Sequence, residues 1–403
     1  MDVVIIGGGE AGARVAHELH TAGWEGTVTL VGEEYRPVYE RPPLSKNVLL
    51  DEIPEAVEPY RGGRLDVPGL TLRPGERAEA IDVGARSVRL AGGEDLRFDR
   101  LVLATGARAR TVPGLPGNVP VLRTWDEALA LRSALTGGGH LLVIGAGMIG
   151  MEVAASARTR GLQVSVVEVA DRAMGRAVPA PVAAEMVARH EAEGVSLRLS
   201  TTVASLTRES GQWRARLEDG EELLVDHVLA CVGTAPDTDL ARTAGIEVDD
   251  GVVVDQQMRT SAPGVWAVGD CVSGPVAVLG RRQRLESWRM AHDQAVTAAA
   301  SIRGEEPEHA AVPWFWSDQY DLSLQVSGMA VAARTWLERP EPDGSTLHLG
   351  LDDAGRVVCA AGVGRAAIAK DVRAAERIIS SGAVLDPAEL VDPTVRLKAL
   401  ARR

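Results

Sequence analysis

The stretch VVIIGGGEAGARVAHEL at residues 3–19 has a near copy in LLVIGAGMIGMEVAASA at residues 141–157. Each copy begins with a short apolar run, passes through glycines and continues with helical spacing. A second strand-like segment follows each copy, TVTLVGEE at 27–34 and QVSVVE at 163–168. The order strand, glycine turn, helix, strand therefore occurs twice. The wide separation of the copies predicts two domains, because solenoid repeats recur every 20–50 residues or so.

Both copies carry the G-x-G-x-x-G spacing of a dinucleotide-binding turn. The glycines are Gly7, Gly9 and Gly12 in the first copy and Gly145, Gly147 and Gly150 in the second. The first glycine permits a tight turn, the second lets a pyrophosphate approach the backbone, and the third lets the helix pack closely on the strand. A turn that merely connects strand to helix is the alternative for a single fingerprint. Two fingerprints in the same context favour two bound dinucleotides, with phosphates at the helix N-termini.

Each copy also places a carboxylate at the end of its second strand. Glu33 follows Gly12 by 21 positions, and Glu168 follows Gly150 by 18. Such an acid accepts hydrogen bonds from a ribose 2′-hydroxyl and repels a 2′-phosphate. Glu168 therefore favours NADH over NADPH if its copy binds the nicotinamide cofactor, although Arg172 and Arg176 nearby are an alternative site for a phosphate.

The composition is that of a globular protein with a sizeable core. Of 403 residues, 45% are hydrophobic and 25% are charged, and the net charge of −13 argues against a general nucleic-acid binder. No apolar run is long enough to span a membrane, and the first predicted strand begins too early to leave room for a signal peptide. We expect a cytoplasmic protein with no membrane partner.

The cysteines predict neither a disulfide framework nor a metal site. Cys231, Cys271 and Cys359 are widely separated, and residues 35–60 contain no cysteine. A disulfide reductase needs a redox pair soon after the first glycine turn, so we exclude thiol chemistry. The HELH pattern puts His17 and His20 one helical turn apart without a third ligand, so no metal is predicted.

Further motifs resemble one family along the whole chain and in the same order. They are GGGEAG with LVGEE, YERPPLSK at 39–46, FDRLVLATGARAR at 98–110, GAGMIGMEVA, GVWAVGDC at 264–271, RLESWRMAHDQA at 284–295 and PWFWSDQYD at 313–321. The sequence resembles the FAD-dependent ferredoxin reductases that serve Rieske-type oxygenases and haem-thiolate monooxygenases. Rubredoxin reductases and apoptosis-inducing factor are relatives of that family.

The resemblance implies an α/β fold with two Rossmann-like dinucleotide-binding domains of the glutathione-reductase-like FAD/NAD type and a small C-terminal α/β domain. The implied boundaries are 1–107 with 235–311 for the FAD-binding domain, 108–234 for the NAD-binding domain and 312–403 for the C-terminal domain. By the same resemblance, the first glycine turn takes FAD and the second takes NADH.

The resemblance also assigns the cofactor contacts residue by residue. Ala11 and Gly12 lie at the FAD pyrophosphate, and Glu33, with Glu34 as a neighbouring alternative, lies at the adenosine ribose. Ala78 lies near the adenine, Arg123 faces the FAD phosphates, Asp270 binds the ribityl chain, and Trp288 presents its backbone to the flavin. The remaining FAD contacts lie in the same motifs: Arg41, Pro42, Ala104, Thr105, Gly106 and Gly269.

Around the reacting ring, the resemblance places Lys46 beside the flavin with Glu152 as its partner. A cation there favours the anionic reduced ring. Glu152 and Glu286 orient the nicotinamide carboxamide and ribose, and Ile149 packs beneath them. Trp316, which by alternation shares a strand face with Trp314, covers the flavin and nicotinamide site, and a core aromatic cluster is the alternative. Lys46, Glu152 and Trp316 are thus the predicted catalytic residues.

The predicted reaction is hydride transfer from NADH to FAD, followed by single-electron transfer to an iron–sulfur ferredoxin that feeds a monooxygenase or dioxygenase. Arg281, Arg282, Arg284 and Arg289 form a possible docking patch for an acidic ferredoxin, and a solvated arginine loop is the alternative. A rubredoxin reductase, an NADH oxidase and a redox-sensing binding protein like apoptosis-inducing factor stay open as functions. The protein is expected to be a monomer or a homodimer.

Overall fold

The computed structural model describes residues 1–57, 69–365 and 367–402. The chain divides into two compact units. Unit 1 comprises Met1–Glu40, Ala56–Arg108 and Ala235–Pro313, and unit 2 comprises Arg41–Glu55, Ala109–Thr234 and Trp314–Arg403.

The strands are numbered in chain order. They are β1 (Val3–Ile6), β2 (Val28–Gly32), β3 (Leu70–Pro74), β4 (Ala78–Asp82), β5 (Ser87–Leu90), β6 (Asp95–Arg97), β7 (Arg100–Leu103), β8 (Ala107–Ala109), β9 (His140–Ile144), β10 (Gln163–Val167), β11 (Val195–Arg198), β12 (Val203–Glu209), β13 (Gln212–Leu217), β14 (Glu222–Val225), β15 (His227–Ala230), β16 (Thr234–Pro236), β17 (Val252–Val253), β18 (Val265–Ala267), β19 (Val272–Val276), β20 (Arg281–Arg284), β21 (Trp314–Gln319), β22 (Leu322–Gly328), β23 (Thr335–Pro340), β24 (Thr346–Leu351) and β25 (Val357–Gly364).

The helices are numbered in the same way. The α-helices are α1 (Glu10–Thr21), α2 (Asn47–Leu50), α3 (Trp125–Leu135), α4 (Met148–Thr159), α5 (Ala180–Ala192), α6 (Asp239–Thr243), α7 (Trp288–Ile302), α8 (Ile368–Ser381), α9 (Pro387–Val391) and α10 (Leu397–Leu400). Short 3₁₀ turns span Pro42–Ser45, Ala277–Leu279 and Ala330–Ala332.

Unit 1 is built on a parallel sheet in the order β18-β7-β1-β2-β3. Its central strand β1 is the run VVII, and all four residues are buried. Strands covered on both faces read as continuous apolar runs, which is the pattern of this segment. Helices α1 and α7 pack against each other beside the sheet. The parallel arrangement brings the carboxyl ends of all five strands to one edge.

Two small three-stranded sheets, one antiparallel and one mixed, complete unit 1. One has the order β4-β5-β6, and in the other β19 pairs antiparallel with β20 and parallel with β17. Their apolar side chains join one core with those of the parallel sheet, including Val88, Leu90, Val252 and Val272. The small sheets therefore extend the hydrophobic core of the unit.

Unit 2 repeats the parallel arrangement with the order β11-β10-β9-β15. Here β9 carries the second apolar run, and Leu141, Leu142 and Val143 are fully buried. A three-stranded antiparallel sheet, β12-β13-β14, packs in a cluster with Leu142 and Ile144. The two fingerprints thus occupy equivalent positions, each on a strand with parallel neighbours on both sides.

The last part of unit 2 is an antiparallel sheet in the order β21-β22-β25-β24-β23 with helix α8 packed on it. Strand β25 is buried along its whole length, and both α8 and α5 pack against it. Together with the two parallel sheets, this confirms the predicted α/β fold.

The division into units differs in detail from the predicted domains. Residues Arg41–Glu55, assigned from the sequence to the FAD-binding domain, belong to unit 2, as does the segment from Trp314 onward. The three-domain division stays a prediction. Within the described residues, no helix combines the length and apolar character that crossing a membrane requires.

Candidate functional site

The first glycine turn joins β1 to α1 at the carboxyl edge of the unit 1 sheet. Gly7 has φ +118°, and a Cβ there would lie 2.0 Å from the carbonyl oxygen of Ala104. A Cβ on Gly12 would lie 2.0 Å from the Gly7 carbonyl oxygen, so only glycine lets the helix approach the turn. At Gly9 no atom lies within 4 Å of an added Cβ. In dinucleotide-binding turns of this kind, a pyrophosphate approaches the helix N-terminus through open space at the second glycine.

The second glycine turn has the same geometry between β9 and α4. Gly145 has φ +105°, and its Cβ would lie 2.5 Å from the carbonyl oxygen of Cys231. A Cβ on Gly150 would lie 2.0 Å from the Gly145 carbonyl oxygen, whereas the space beside Gly147 is open. Gly147 is the N-cap of α4 and has no side chain to cap the helix. In both turns a helix N-terminus without a side-chain cap therefore lies beside an open space, which suits a dinucleotide phosphate.

The carboxyl edge of the unit 1 sheet gathers most of the predicted FAD contacts. Strand β7 ends at Leu103, immediately before Ala104, Thr105 and Gly106, and β18 is followed by Gly269 and Asp270. The Gly269 N–H is held at 2.8 Å by the side-chain oxygen of Gln294. Ala78 begins β4 and is buried. The parallel topology thus collects residues that are far apart in sequence.

Of the two acids after β2, Glu33 has the more accessible carboxylate. Its side chain is 69% exposed, with the Arg77 guanidinium 3.8 Å away. Glu34 instead accepts a hydrogen bond from the hydroxyl of Tyr39 at 2.5 Å. Glu33 is therefore the one with a carboxylate accessible to a ribose at the strand end.

Helix α7 begins at Trp288, and the Ser287 side chain accepts a hydrogen bond from the Met290 N–H. The Trp288 ring stacks on His292, with the ring centres 5.2 Å apart. Glu286, predicted to orient the nicotinamide, forms an ion pair with Arg284. If Glu286 contacts a nicotinamide, its carboxylate must bind the nicotinamide and Arg284 at the same time.

The predicted arginine patch is largely neutralised by neighbouring acids. The Arg282 guanidinium lies 3.2 Å from Asp249, and the Arg289 guanidinium lies 2.7 Å from Asp293. The Arg284 side chain is only 9% exposed, and it also bonds to Asp250 at 3.3 Å. Arg284 is therefore withdrawn from any docking surface, and the patch carries less positive charge than the sequence suggests.

Glu168 follows β10 and reaches back to the second glycine turn. Its Oε2 accepts a hydrogen bond from the Ala146 N–H at 2.7 Å, and its Oε1 accepts one from the Ala170 N–H at 2.9 Å. Each oxygen keeps a lone pair for a ribose hydroxyl. Arg172 donates to the carbonyl oxygens of Val178 at 2.8 Å and Gly175 at 2.7 Å, so its guanidinium is committed to the backbone.

Lys46 and Glu152 form the pair that the sequence predicted. The Lys46 ammonium lies 2.7 Å from Oε2 of Glu152 and 3.0 Å from the carbonyl oxygen of Pro42. The Glu152 side chain is 4% exposed, and the same Oε2 accepts a hydrogen bond from the Ser45 hydroxyl. Such a buried carboxylate is stable only when it is paired and hydrogen-bonded.

The other oxygen of Glu152 contacts residues that the sequence analysis did not single out. Its Oε1 accepts a hydrogen bond from the Ser317 hydroxyl at 2.6 Å, and Ser317 in turn accepts one from the Gln319 amide at 2.9 Å. Ser317 and Gln319 are polar residues at alternate, buried positions of β21. Polar residues on the inner face of a strand were the signal that could have found them.

Trp314 and Trp316 share one face of β21, as alternation predicted. Their rings stack with centres 5.0 Å apart and an interplanar angle of 17°. Both are partly exposed and line an open cavity of about 800 Å³ with Tyr320, Arg365 and Arg373, among others. The pair is therefore not the core cluster that was the alternative.

The remaining predicted contacts in unit 2 are Arg41, Pro42, Arg123 and Ile149. The Arg41 guanidinium donates to the carbonyl oxygen of Arg123 at 2.5 Å, and Pro42 begins the 3₁₀ turn that leads to Lys46. Ile149, in the first turn of α4, is 43% exposed although it is a large apolar residue. Exposure of such a side chain beside the glycine turn suits a contact with a bound ring.

Cys271 and Cys359 are buried, and Cys231 is partly buried against the core. Burial raises the pKa of the Cys231 thiol to about 12, and burial likewise raises the pKa of Cys359 to about 12. Burial also raises the pKa of Cys271, the cysteine next to Asp270. Among the residues that the structure describes, no group of three or more His, Cys, Asp or Glu side chains is arranged to hold a metal ion.

Known proteins similar to this chain match it from end to end. A family model described as pyridine nucleotide-disulphide oxidoreductase matches residues 1–295, and one described as reductase C-terminal matches residues 314–401. The chain is 38% identical to the anthranilate 1,2-dioxygenase system ferredoxin–NAD(+) reductase component of Burkholderia cepacia, with 98% of both chains covered. It is 37% identical to rhodocoxin reductase of Rhodococcus erythropolis, with 100% of this chain and 95% of the relative covered. The crystal structure of a covalent putidaredoxin reductase–putidaredoxin complex matches with a TM-score of 0.92 at 34% identity, covering 100% of this chain and 99% of the other.

Proposed function

We propose, on the premise that this chain belongs to the pyridine nucleotide-disulphide oxidoreductase family and within it to the ferredoxin–NAD(+) reductases, that it reduces an iron–sulfur ferredoxin of an oxygenase system. It is an NADH-dependent oxidoreductase that uses FAD and NAD(H). The observation that carries the proposal is the pair of equivalent glycine turns, each open at its second glycine.

Unit 1 holds the FAD in this proposal. The pyrophosphate lies at the open side of Gly9, and Glu33 accepts from the adenosine ribose. Asp270 is half-buried at the end of β18, where its carboxylate can accept from ribityl hydroxyls. Ala78, Ala104, Thr105, Gly106, Trp288 and the other sequence-assigned contacts complete the site.

Unit 2 holds the NADH. Its pyrophosphate lies at the open side of Gly147, and Glu168 accepts from the ribose while it keeps its bond to Ala146. A 2′-phosphate would be repelled by that carboxylate, and Arg172 is committed to backbone carbonyls instead of an anion. These contacts support a preference for NADH.

When bound, FAD would supply the chemistry that links a hydride donor, NADH, to a one-electron acceptor. Lys46 lies beside the flavin in our proposal and supplies positive charge, which stabilises negative charge as it develops on the ring. Glu152 fixes the Lys46 ammonium, since the ion pair is mostly buried.

Trp316 excludes water from the reacting face, and Ile149 packs under the nicotinamide. Arg123 faces the FAD phosphates in this proposal, and Arg41 and Pro42 are further FAD contacts.

The absence of a suitable cysteine separates this chain from family members that reduce disulfides. Residues 35–60 contain none, and the Cys271 thiol is buried and donates to the carbonyl oxygen of Val268 at 3.3 Å. Thiolates are the reactive form, and burial disfavours them. Electrons therefore leave the flavin without a sulfur relay, which fits a one-electron acceptor such as a ferredoxin.

The test is to purify the FAD-bound protein and measure NADH-dependent cytochrome c reduction with each ferredoxin encoded in the same genome. Fast reduction with one ferredoxin and slow reduction without it supports the proposal. Equal or faster turnover with a rubredoxin would indicate a rubredoxin reductase, and equal or faster turnover with oxygen alone would indicate an NADH oxidase. A long-lived charge-transfer species with no acceptor turnover would assign a redox-sensing binding protein. Light scattering of the same sample decides between monomer and homodimer, and the cytoplasmic location stays a prediction.

A further inference from the structure

The buried carboxylate of Glu152 ends a chain of hydrogen bonds that crosses unit 2. Ser317 donates to its Oε1 at 2.6 Å, and the Gln319 amide donates to Ser317 at 2.9 Å. The Nε2 atom of His190, on α5, lies 2.7 Å from the Gln319 amide oxygen. The His190 Nδ1 atom lies 3.3 Å from the hydroxyl of Tyr320.

The donor and acceptor roles of its members give this chain of hydrogen bonds one direction. The Gln319 oxygen only accepts, so His190 carries its proton on Nε2 and donates to Gln319. The His190 Nδ1 atom is then an acceptor, which the Tyr320 hydroxyl satisfies. Each member from Tyr320 to Ser317 donates one step closer to Glu152, so the chain delivers a hydrogen-bond donor to the carboxylate.

The hydrogen-bond chain lies in the interior of the protein, where water does not compete for its donors and acceptors. His190 and Ser317 are 0% exposed, and Gln319 is 2% exposed. Burial lowers the pKa of His190, so the neutral form that the chain requires is the stable one. Hydrogen bonds between buried dipoles reinforce one another, and a buried donor or acceptor that loses its partner destabilises the fold.

We propose that Ser317, Gln319 and His190 are positioning residues for Lys46 and act through Glu152. Oε2 of Glu152 binds Lys46 and Ser45, and the bond from Ser317 to Oε1 fixes the plane of the carboxylate. Without that bond the carboxylate can rotate, and the ammonium loses its fixed position. The proposal rests on the proposed function only for the consequence at the flavin.

The experiment uses the FAD-bound holoprotein and a matched pair of variants. His190→Leu removes the donor to Gln319, whereas His190→Gln supplies an amide N–H in its place. His309→Leu is the control, because His309 is also a buried histidine but lies in unit 1 and is not part of the hydrogen-bond chain. Ser317→Ala and Gln319→Leu break the chain at other points and decide the question if His190→Leu does not fold.

The direct readout is the rate at which Lys46 is acetylated by acetic anhydride, followed by peptide mass spectrometry. The sequence has three lysines, and the exposed Lys370 and Lys398 serve as internal references. We expect acetylation of Lys46 to rise at least threefold in His190→Leu, Ser317→Ala and Gln319→Leu, and to stay near the wild-type rate in His190→Gln and His309→Leu. Unchanged acetylation in the three chain-breaking variants overturns the inference, as does an equal rise in His309→Leu.

A kinetic readout separates this inference from the proposed function. In single-turnover mixing with NADH, the chain-breaking variants should lower the limiting rate of flavin reduction about three- to tenfold, with the apparent Kd for NADH unchanged. Lys46→Met is measured beside them. If Lys46→Met leaves the rate of flavin reduction unchanged, the proposed place of Lys46 beside the flavin is wrong. The acetylation result then still decides whether the hydrogen-bond chain positions Lys46.

Discussion

The Nζ atom of Lys46 lies 2.7 Å from Oε2 of Glu152, and this ion pair ties the segment Arg41–Glu55 to helix α4 of the second glycine turn. The segment is bound at a second point, where the Ser156 hydroxyl donates to the Ser45 carbonyl oxygen at 2.7 Å. The lysine predicted to act on the flavin is therefore built into the unit that carries the second glycine turn.

Lys46→Met should destabilise the protein, because it leaves the Glu152 charge buried without its partner. Breaking a buried pair from one side costs about 3–5 kcal/mol, and the partial exposure of Lys46 places the expected loss at or below the lower end. Denaturant unfolding of the holoprotein measures it. The double variant Lys46→Met/Glu152→Gln should recover part of the loss, and Lys370→Met, at an exposed lysine, should be neutral. No recovery in the double variant contradicts this account of the pair.

Gly147→Ala should block NADH without unfolding the chain. The added methyl group projects into open space in the structure, where we place the pyrophosphate. We expect the Kd for NADH to rise at least tenfold while FAD content and melting temperature stay near wild type. Gly137→Ala is the control, since it too meets no atom within 4 Å and lies away from the turn. Unchanged NADH binding in Gly147→Ala would show that the phosphate lies elsewhere.

Glu168→Ala should shift coenzyme preference. The carboxylate accepts from the ribose 2′-hydroxyl and repels a 2′-phosphate, so its loss weakens NADH and relieves the penalty on NADPH. We expect the ratio of kcat/KM for NADH to that for NADPH to fall about tenfold or more. Glu168→Gln, which keeps an oxygen for the Ala146 N–H, controls for disturbance of the glycine turn. A ratio that does not move contradicts the ribose assignment.

Asp270→Ala should yield protein with little FAD. The carboxylate stands at the carboxyl end of β18, at the same sheet edge as the first glycine turn, and accepts ribityl hydroxyls in our proposal. The absorbance ratio at 450 and 280 nm after purification and dialysis measures the loss. Asp239→Ala, at an exposed aspartate of the same unit, should stay yellow. Full flavin retention in Asp270→Ala counts against this site.

Stability should fall in weak acid because two histidines are buried in the neutral form. Burial lowers the pKa of His190 and of His309 from the ordinary value of 6.5. As the pH falls below 6.5, the unfolded chain binds protons that the folded chain does not, so the free energy of unfolding decreases. Each histidine contributes up to about 1.4 kcal/mol per pH unit until its folded pKa is reached.

Denaturant unfolding at pH 5, 6, 7 and 8 measures this slope. His190→Gln has no group that titrates at this position, so its slope between pH 5 and 6.5 should be shallower than that of the wild type. Equal slopes would show that His190 is not neutral in the folded state, or that it does not exchange protons on unfolding.

The sequence by itself determined the two glycine turns, their strands and helices, the acids Glu33 and Glu168, and the pairing of Lys46 with Glu152. The turns follow from local physics, because only glycine fits where an added Cβ would lie 2.0 Å from a carbonyl oxygen, and that need recurs at a fixed spacing. The Lys46–Glu152 pair came from a family resemblance and not from spacing.

Only the tertiary structure decided the ion pairs of Glu286 and the arginine patch, and the chain from Tyr320 to Glu152. These contacts join residues from different elements, and a hydrogen bond depends on distance and direction in space, which the residue types alone do not encode. A polar residue such as Gln319 reads in sequence as an ordinary strand residue. Its burial and its two partners, one on β21 and one on α5, exist only after the sheet and the helix have packed together.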